Sequence, residues 1–279
     1  MKKITRRSFL AAAGLTAAAL ALTACGGSSS STASSTASSA AASSEAASSS
    51  AAAELTTVEA GKLTMATNAA FPPYEMTTDT GAFEGIDVDT AQAIAEKLGL
   101  ELQIDDMDFD AALLSVQQGK ADIVMAGVTV TDERKAVMDF SDSYATGIQS
   151  IIVPEGSDIA TPDDLAGKKI GTQRGTTGYI YCSDDFGDEN VVAYDDGLTA
   201  VQALNNGQGD AVVIDNAPAK EFVAANPGLV ILDTSYAEED YAIGMAKGSA
   251  LEDAINATLE ELKADGTLQS IVDKYITAE

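Results

Sequence analysis

The sequence contains no histidine and no tryptophan, and only two of its 279 residues are cysteines. Without an imidazole the chain cannot build a Ser-His-Asp or Cys-His nucleophile, a histidine-ligated metal site or a histidine general base. Cys182 is the only cysteine after Cys25, so the globular part cannot form an intramolecular disulfide or a multi-cysteine metal site. We expect Cys182 to be a buried packing residue. These absences predict a protein without a metal or another cofactor.

Basic residues are also scarce, with 16 Lys and Arg against 43 Asp and Glu and a formal net charge of -27. Affinity for nucleic acid comes mainly from Lys and Arg, so we expect no nucleic-acid partner. Only two arginines, Arg134 and Arg174, lie beyond residue 7. Each of them is therefore a candidate for a specific role, whereas the excess of acids predicts a solvated surface.

Residues 1–24 have the composition of a secretory signal peptide. Four basic residues precede an apolar run from Phe9 to Leu22, which is short and rich in alanine for a membrane span. The string Leu22-Thr23-Ala24-Cys25 resembles a bacterial lipobox, and the alternative is an ordinary signal peptide with a chance cysteine. The string TRRSFL also resembles a twin-arginine export motif, so the Sec and twin-arginine routes both stay open.

Residues 25–53 are predicted to be a lipid-bearing cysteine followed by a disordered tether. Residues 26–53 contain 13 Ser and 10 Ala, and this composition offers little to bury. A flexible chain of that length spans on the order of 30 Å. Acyl chains on Cys25, such as palmitate, would anchor the protein to the outer face of the cell membrane.

The hydrophobic pattern predicts the order β-α-β-α-β between Lys62 and Ala126, and again from Lys169 to Asp215. Residues 113–126 also match residues 201–214 at a constant offset of 88, which pairs Gly119 with Gly207 and Asp122 with Asp210. The alternative is a chance similarity of two helix-turn-strand units. Both explanations predict an α/β fold of two mainly parallel sheets flanked by helices.

The same pattern predicts two lobes, residues 54–143 plus 242–279 and residues 148–237. Polar segments 141–147 and 235–240 would cross between them and form a hinge. Open α/β sheets bind ligands at the carboxyl ends of their strands. The strand ends near residues 126 and 214 would therefore share one cleft.

Six strings in the globular part carry a family resemblance: FPPYE (71–75), GIDVDTAQAIAEKLG (85–99), DIVMAGVTVTDERKAVMDFSDSY (122–144), GTQRGTTG (171–178), GDAVVID (209–215) and YAIGMAKG (241–248). In this order, the chain resembles extracellular solute-binding proteins of the polar amino-acid class, which deliver ligands to ABC transporters. The resemblance implies the two-lobed type II periplasmic-binding-protein fold. It also implies an extracytoplasmic, monomeric receptor that closes on a free amino acid and passes it to an ABC permease.

Arg134 is the candidate for the carboxylate of such a ligand. Its planar guanidinium matches a carboxylate, and Thr131 can cap a short helix that carries it. The resemblance implies that this arginine binds the ligand's α-carboxylate. The alternative is a surface arginine paired with Asp132 or Glu133.

Three residues of the second lobe are candidates for the same ligand. Thr176 and Thr177 open a helix, and their amides would lie at its positive end, which suits a carboxylate. Asp215 ends a predicted strand and can pair with the ligand's ammonium. Its alternative role is to cap the following helix, and the two roles are compatible.

Gly127, Thr129, Phe71 and Phe109 complete the predicted contacts around the ligand. Gly127 lacks a side chain and would let the ligand approach the backbone, whereas Thr129 offers an amide and a hydroxyl. The resemblance implies that Phe71 and Phe109 sandwich the ligand's side chain, although each could be an ordinary core residue.

Asn68 and Gln173 are the predicted specificity residues. Relatives that bind basic amino acids often have an aspartate at the position of Asn68, so we expect a neutral polar side chain such as that of glutamine. Glutamate or aspartate would fit if Arg174 points into the pocket. A dehydratase-like enzyme on the same fold and a ligand-sensing partner of a membrane receptor are the alternative functions.

Overall fold

The computed structural model describes residues 55–276. The predicted signal peptide, Cys25 and the whole tether lie outside these residues. Residues 55–276 belong to one compact unit. Within the described range, no helix is both long enough and apolar enough to cross a membrane.

The chain first forms a set of short strands and three helices. Their bounds are β1 Lys62–Thr67, β2 Ala70–Phe71, β3 Glu75–Thr77, β4 Phe83–Glu84, α1 Ile86–Leu98, β5 Glu101–Asp106, α2 Phe109–Gln117, β6 Ile123–Val124, α3 Asp132–Val137 and β7 Met138–Phe140.

A second set of strands and helices follows, and the chain then returns to the first set. The bounds are β8 Ala145–Pro154, β9 Ile170–Gln173, α4 Thr177–Phe186, β10 Val191–Tyr194, α5 Gly197–Asn205, β11 Ala211–Asp215, α6 Asn216–Ala225, β12 Leu229–Ile231, β13 Ala237–Tyr241, β14 Gly244–Ala246, α7 Glu252–Ala264 and α8 Thr267–Tyr275.

Two large sheets define two lobes, and the predicted two-lobed α/β fold is confirmed. The sheet of lobe 1 has the order β5-β1-β6-β14-β7, and the sheet of lobe 2 has the order β10-β9-β11-β8-β12, with β13 also paired to β8. In each lobe the three strands of the predicted β-α-β-α-β unit are parallel. The strand that follows a crossing between the lobes, β14 or β8, is antiparallel to its neighbours. Each sheet has hydrophobic clusters packed against it.

The match at an offset of 88 residues describes equivalent structure. Gly119 and Gly207 both adopt the left-handed conformation after a helix, with φ of 65° and 72°. The Asp122 carboxylate accepts a hydrogen bond from the Thr64 amide at 2.8 Å, and the Asp210 carboxylate accepts one from the Lys169 amide at 2.7 Å. Both acids therefore tie the third strand of a unit to the beginning of the first.

Several strands differ from the sequence-based expectation. The predicted strand over residues 121–126 is limited to β6, because the chain bends at Gly127, where φ is 54°. The longest strand, β8, begins inside the segment predicted as a polar crossing. Its first residues alternate between exposed and buried, whereas residues 149–153 are continuously buried, so no single period describes the strand. The predicted burial of Cys182 is confirmed.

Candidate ligand-binding site

A cavity lies between the two lobes. All ten of the predicted ligand-binding residues line it, so the structure brings them together, although their contacts with a ligand stay predictions. The lining residues are Asn68, Phe71, Glu75, Phe109, Ala126, Gly127, Thr129, Arg134, Gln149, Gln173, Thr176, Thr177, Val213, Ile214, Asp215 and Tyr241.

Arg134 enters this cavity from lobe 1. The Thr131 hydroxyl accepts a hydrogen bond from the Arg134 amide at 3.2 Å, so Thr131 caps α3 as expected. Arg134 is 9% exposed, and its guanidinium donates to the Thr129 carbonyl at 2.7 Å and to the Gly175 carbonyl of lobe 2 at 3.2 Å. Its central carbon lies 5.4 Å from the centre of the Phe109 ring, within the range of a cation–π contact.

The alternative placement of Arg134 on the surface is therefore wrong. Burial lowers its pKa and the charge of Glu239 opposes that effect. A guanidinium keeps its proton under such conditions, so the cavity contains a fixed positive charge.

Arg174 lies outside the cavity. Its side chain is largely exposed, and Nη2 is 3.4 Å from Oδ1 of Asp195. The hypothesis that Arg174 points into the pocket is therefore wrong, because its guanidinium is paired with Asp195 and Arg174 does not line the cavity. The prediction of glutamate or aspartate as the ligand depended on an inward Arg174, so it no longer has support.

Asp215 enters the cavity from lobe 2, at the point where β11 meets α6. Its Oδ1 accepts from the Ala217 amide at 3.1 Å, and its Oδ2 accepts from the Ile148 amide at 2.8 Å and the Tyr241 hydroxyl at 2.7 Å. The carboxyl therefore caps α6 and lines the cavity at once. Burial raises the pKa of Asp215 to about 6, and the hydroxyl and amide donors oppose that rise.

Thr176 and Thr177 lie where α4 begins. The Thr176 hydroxyl accepts from the Tyr179 amide at 3.3 Å and so caps the helix. Thr177 is the first helical residue, and amides of the first turn have no acceptor inside a helix. The amides at this helix end can therefore donate to an anion in the cavity.

Glu239 is a buried acid beside the cavity that sequence analysis missed. Its Oε2 accepts hydrogen bonds from the hydroxyls of Thr129 and Thr177 at 3.1 and 3.0 Å, and from the Gln149 amide group at 3.0 Å. In the sequence it is one of three consecutive acids in a polar stretch. The available signal was its spacing of two residues from Tyr241, which places both side chains on one face of a strand.

Gly127 shows why the cavity needs a residue without a side chain. A Cβ at this position would lie 2.9 Å from the Phe71 ring and 3.2 Å from the Tyr241 ring. The Gly127 amide donates to the Asp87 carboxylate at 3.0 Å, which fixes the orientation of this peptide. Phe71 also stacks on Tyr74, with 5.9 Å between the ring centres.

Two amide side chains from different lobes meet in the cavity. Nε2 of Gln173 donates to Oδ1 of Asn68 at 2.9 Å, and Nδ2 of Asn68 donates to the Met107 carbonyl at 3.0 Å. Both predicted specificity residues are therefore placed together, and both are uncharged.

Glu75 and Asp87 form a buried carboxyl pair, and Glu75 also lines the cavity. Burial, and then the neighbouring Asp87, raise the pKa of Glu75 well above its ordinary value. Burial raises the pKa of Asp87 to about 6, although its bond to the Gly127 amide opposes the rise. Two adjacent buried carboxyls favour the state in which they share one proton. Sequence analysis assigned neither residue a role.

The lobes touch each other across the cavity, so the structure shows a closed arrangement. Arg134 bonds to Gly175, Gln173 bonds to Asn68, and each of these bonds joins one lobe to the other. A Cβ at Gly175, where φ is +73°, would collide with the Asp110 carboxylate of lobe 1. Within residues 55–276, no group of three or more carboxylate, cysteine or histidine side chains is arranged to hold a metal ion.

The model of the bacterial extracellular solute-binding proteins, family 3, matches residues 63–278. The chain belongs to this family. It is 33% identical over 226 residues to the L-cystine-binding protein TcyJ of Escherichia coli K12, covering 79% of this chain and 85% of TcyJ. It is 32% identical over 228 residues to the arginine-binding extracellular protein ArtP of Bacillus subtilis, covering 78% of this chain and 87% of ArtP.

Solved structures give the same assignment. An ancestral arginine-binding protein bound to arginine is 42% identical, with a TM-score of 0.74 over 77% of this chain and 98% of that one. As a member of family 3, the protein is an extracytoplasmic solute-binding protein. Members of this family are receptors for solutes, and the predicted class is confirmed.

Proposed function

We propose that this protein is the receptor of an ABC importer for a free α-amino acid with a polar, uncharged side chain, with glutamine as the first candidate. One observation carries the proposal: Arg134 and Asp215, two buried residues of opposite charge, line the same cavity from different lobes. A free amino acid has a carboxylate and an ammonium on one carbon, so one molecule can pair with Arg134 and with Asp215 at the same time. TcyJ and ArtP, which are named as amino-acid-binding proteins, support this substrate class.

The carboxylate of the ligand would pair with Arg134 and accept from the amides of Thr129 and Thr177. Its ammonium would pair with Asp215 and donate to the backbone carbonyl at Gly127, which lines the same cavity. Arg134 and Thr129 belong to lobe 1, whereas Thr177 and Asp215 belong to lobe 2, so only the closed arrangement makes every contact. Ligand binding then shifts the population towards the closed form, which the permease recognises.

The neutral side chain is supported by Asn68 and Gln173, whose amides donate and accept hydrogen bonds without adding charge. Phe71 and Phe109 would flank the ligand's aliphatic carbons. The exposed position of Arg174 removes the cation that an acidic ligand would need.

Arginine is a second candidate, favoured by Glu75. This carboxyl lines the cavity, and within residues 55–276 no donor other than the shared proton of Asp87 is aimed at its oxygens. A guanidinium could pair with Glu75 in its ionised form, and ArtP and the ancestral protein are named for arginine. Glu75→Gln keeps the volume and removes this charge, so it should weaken arginine binding strongly and glutamine binding little.

The proposed membrane anchor is a lipid on Cys25, supported by the lipobox-like string from Leu22 to Cys25. Labelled palmitate should be incorporated into the wild-type chain and should be absent from Cys25→Ser. Incorporation in both chains would contradict the anchor.

The first experiment is the thermal unfolding of residues 26–279 against the common amino acids. A ligand at about 100 times its Kd adds roughly 2.7 kcal/mol of stability, so a true ligand should raise the midpoint by several degrees. Arg134→Met should abolish the shift. Arg174→Met is the matched control, because it removes the other arginine of this part of the chain, and it should keep the shift.

The proposal would be overturned if no amino acid shifted the unfolding midpoint. It would also be overturned if the midpoint of Arg134→Met shifted as much as that of the wild type. Analysis of the released ligand separates a receptor from a dehydratase-like enzyme, because a receptor returns its ligand unchanged.

A further inference from the structure

Side chains on one face of strand β13 lie beside both charged residues of the cavity, Arg134 and Asp215. Its burial alternates, with Glu239 and Tyr241 buried and Glu238 and Asp240 exposed. The Tyr241 hydroxyl holds Asp215, whereas Glu239 lies on the side of Arg134. β13 is also the strand by which the chain leaves lobe 2 for lobe 1.

The Glu239 carboxylate collects hydrogen bonds from both lobes. Thr129 of lobe 1 donates at 3.1 Å, and Thr177 and Gln149 of lobe 2 donate at 3.0 Å each. All three donors converge on the single oxygen Oε2, and Glu239 is 6% exposed. Thr129 and Thr177 themselves lie 3.4 Å apart, hydroxyl oxygen to hydroxyl oxygen.

A buried carboxylate is costly unless donors surround it. If the lobes separate, the bond between Glu239 and one of the two threonines breaks, and water must replace it. The attraction between Glu239 and Arg134 also favours the closed arrangement, because Arg134 bonds to Gly175 of the other lobe. The contacts of Glu239 therefore favour the closed arrangement even when the cavity holds no amino acid.

We propose that Glu239 is a positioning residue that links the two lobes, holds the hydroxyls of Thr129 and Thr177, and maintains a closed population in the ligand-free protein. The consequence for affinity rests on the proposed function. If only the closed form is competent, the apparent Kd rises in proportion as the closed fraction falls.

The test measures an interlobe distance in residues 26–279 by pulsed electron paramagnetic resonance. Spin labels are placed at two exposed positions, Gln92→Cys on α1 and Asp184→Cys on α4, and Cys182 is fully buried and does not compete. Glu239→Gln keeps the shape of the side chain and removes its charge. Glu238→Gln, on the exposed face of the same strand, is the matched control.

Glu239→Gln should reduce the closed-to-open ratio of the ligand-free protein on the order of tenfold, because the hydrogen bonds to Oε2 lose their charge assistance. Glu238→Gln should match the wild type. L-glutamine and L-arginine are then titrated, and for whichever binds, the loss of affinity in Glu239→Gln should equal the loss of closed fraction.

An unchanged distance distribution in ligand-free Glu239→Gln would overturn the proposal. If that variant does not fold, Thr177→Val removes the lobe 2 hydroxyl donor instead and should open the protein in the same way; an unchanged distribution there has the same meaning. The ligand-free distances do not depend on any amino acid, so this result is separate from failure of the proposed function.

Discussion

Lobe 1 and lobe 2 repeat one β-α-β-α-β arrangement, yet they bring opposite charges to the cavity. At the offset of 88 residues, Asp215, the last residue of the third strand in lobe 2, corresponds to Gly127, which follows the shorter third strand of lobe 1. In lobe 1 the chain then turns at Gly127 and reaches Arg134 on α3, whereas in lobe 2 it enters α6 directly. The sheets therefore determine where a ligand can lie, and the segments after these strands determine which of its groups each lobe meets.

The largest effect should come from Asp215→Asn, which removes the charge of lobe 2 and leaves the positive charge of lobe 1. We expect a loss of amino-acid affinity on the order of 100-fold, because the ammonium of the ligand loses its buried partner. Asparagine has one acceptor oxygen where aspartate has two, so the variant keeps either the cap on the Ala217 amide or the bonds from Ile148 and Tyr241. The ligand-free unfolding midpoint should therefore also fall, and affinities are compared at a temperature at which both proteins are folded. Isothermal titration calorimetry measures the affinity, and a change smaller than twofold would exclude the assigned role.

Gly175→Ala should be next in size, with a loss of affinity of about tenfold or more, because the added Cβ meets Asp110 of the other lobe and overpacking on this scale costs roughly 1–3 kcal/mol. Gly167→Ala is the control. Gly167 has a similar φ of 74° but has open space around it, so it carries the same backbone strain without the contact between lobes. Equal affinities for the two variants would contradict closure through this contact.

The pH dependence of binding should be smaller and specific to lobe 2. Burial raises the pKa of Asp215 to about 6 in the ligand-free protein, so below that pH a proton competes with the ammonium of the ligand. Affinity should therefore fall as pH decreases, by about tenfold from pH 7 to pH 5. Tyr241, Tyr74 and Glu239 also act on this site, and Asp87 titrates near the same pH.

Asp215→Asn distinguishes these groups. If Asp215 is the group that titrates, the variant should bind weakly and almost independently of pH in this range. A full pH dependence in Asp215→Asn would assign the effect to Asp87 or another acid.

The smallest effects should appear at Asp122 and Asp210, the equivalent acids of the repeat. Asp122 is buried and accepts from the amides of Val58 and Thr64 at 2.7 and 2.8 Å, whereas Asp210 is exposed and accepts from Lys169. We expect Asp122→Ala to lower the free energy of unfolding by about 1–3 kcal/mol, and Asp210→Ala by less. Urea denaturation measures both, and the reverse order would contradict the role of burial.

Sequence analysis could predict the fold and most of the cavity lining, but not every buried residue beside the cavity. The repeat, the two-lobed α/β fold and the Thr131 cap follow from local periodicity and turn chemistry, which a single sequence contains. The cavity lining was also within reach, because the strand ends and the family resemblance point to the same residues.

Contacts between distant segments were beyond reach. Glu239 and Glu75 gain their positions only when β13 and β3 pack beside the cavity. The spacing of Glu239 from Tyr241 indicates a shared strand face, but it does not show that this face is turned to the cavity. The direction of the Arg174 side chain could not be predicted either. Its neighbour Gln173 faces the cavity, and adjacent residues of an extended segment point to opposite sides, so the choice depended on which of the two faced inward.

The central claim is that Arg134 of lobe 1 meets the α-carboxylate of an amino acid and Asp215 of lobe 2 meets its ammonium. Calorimetric titration with L-glutamine, its α-amide and N-acetyl-L-glutamine tests both halves directly, because each derivative removes one charge of the ligand. If glutamine does not bind, the same test uses L-arginine, its α-amide and N-acetyl-L-arginine. The account predicts that the parent amino acid binds and that each derivative binds on the order of 100-fold more weakly or not at all. Binding of either derivative as tightly as the parent would contradict it.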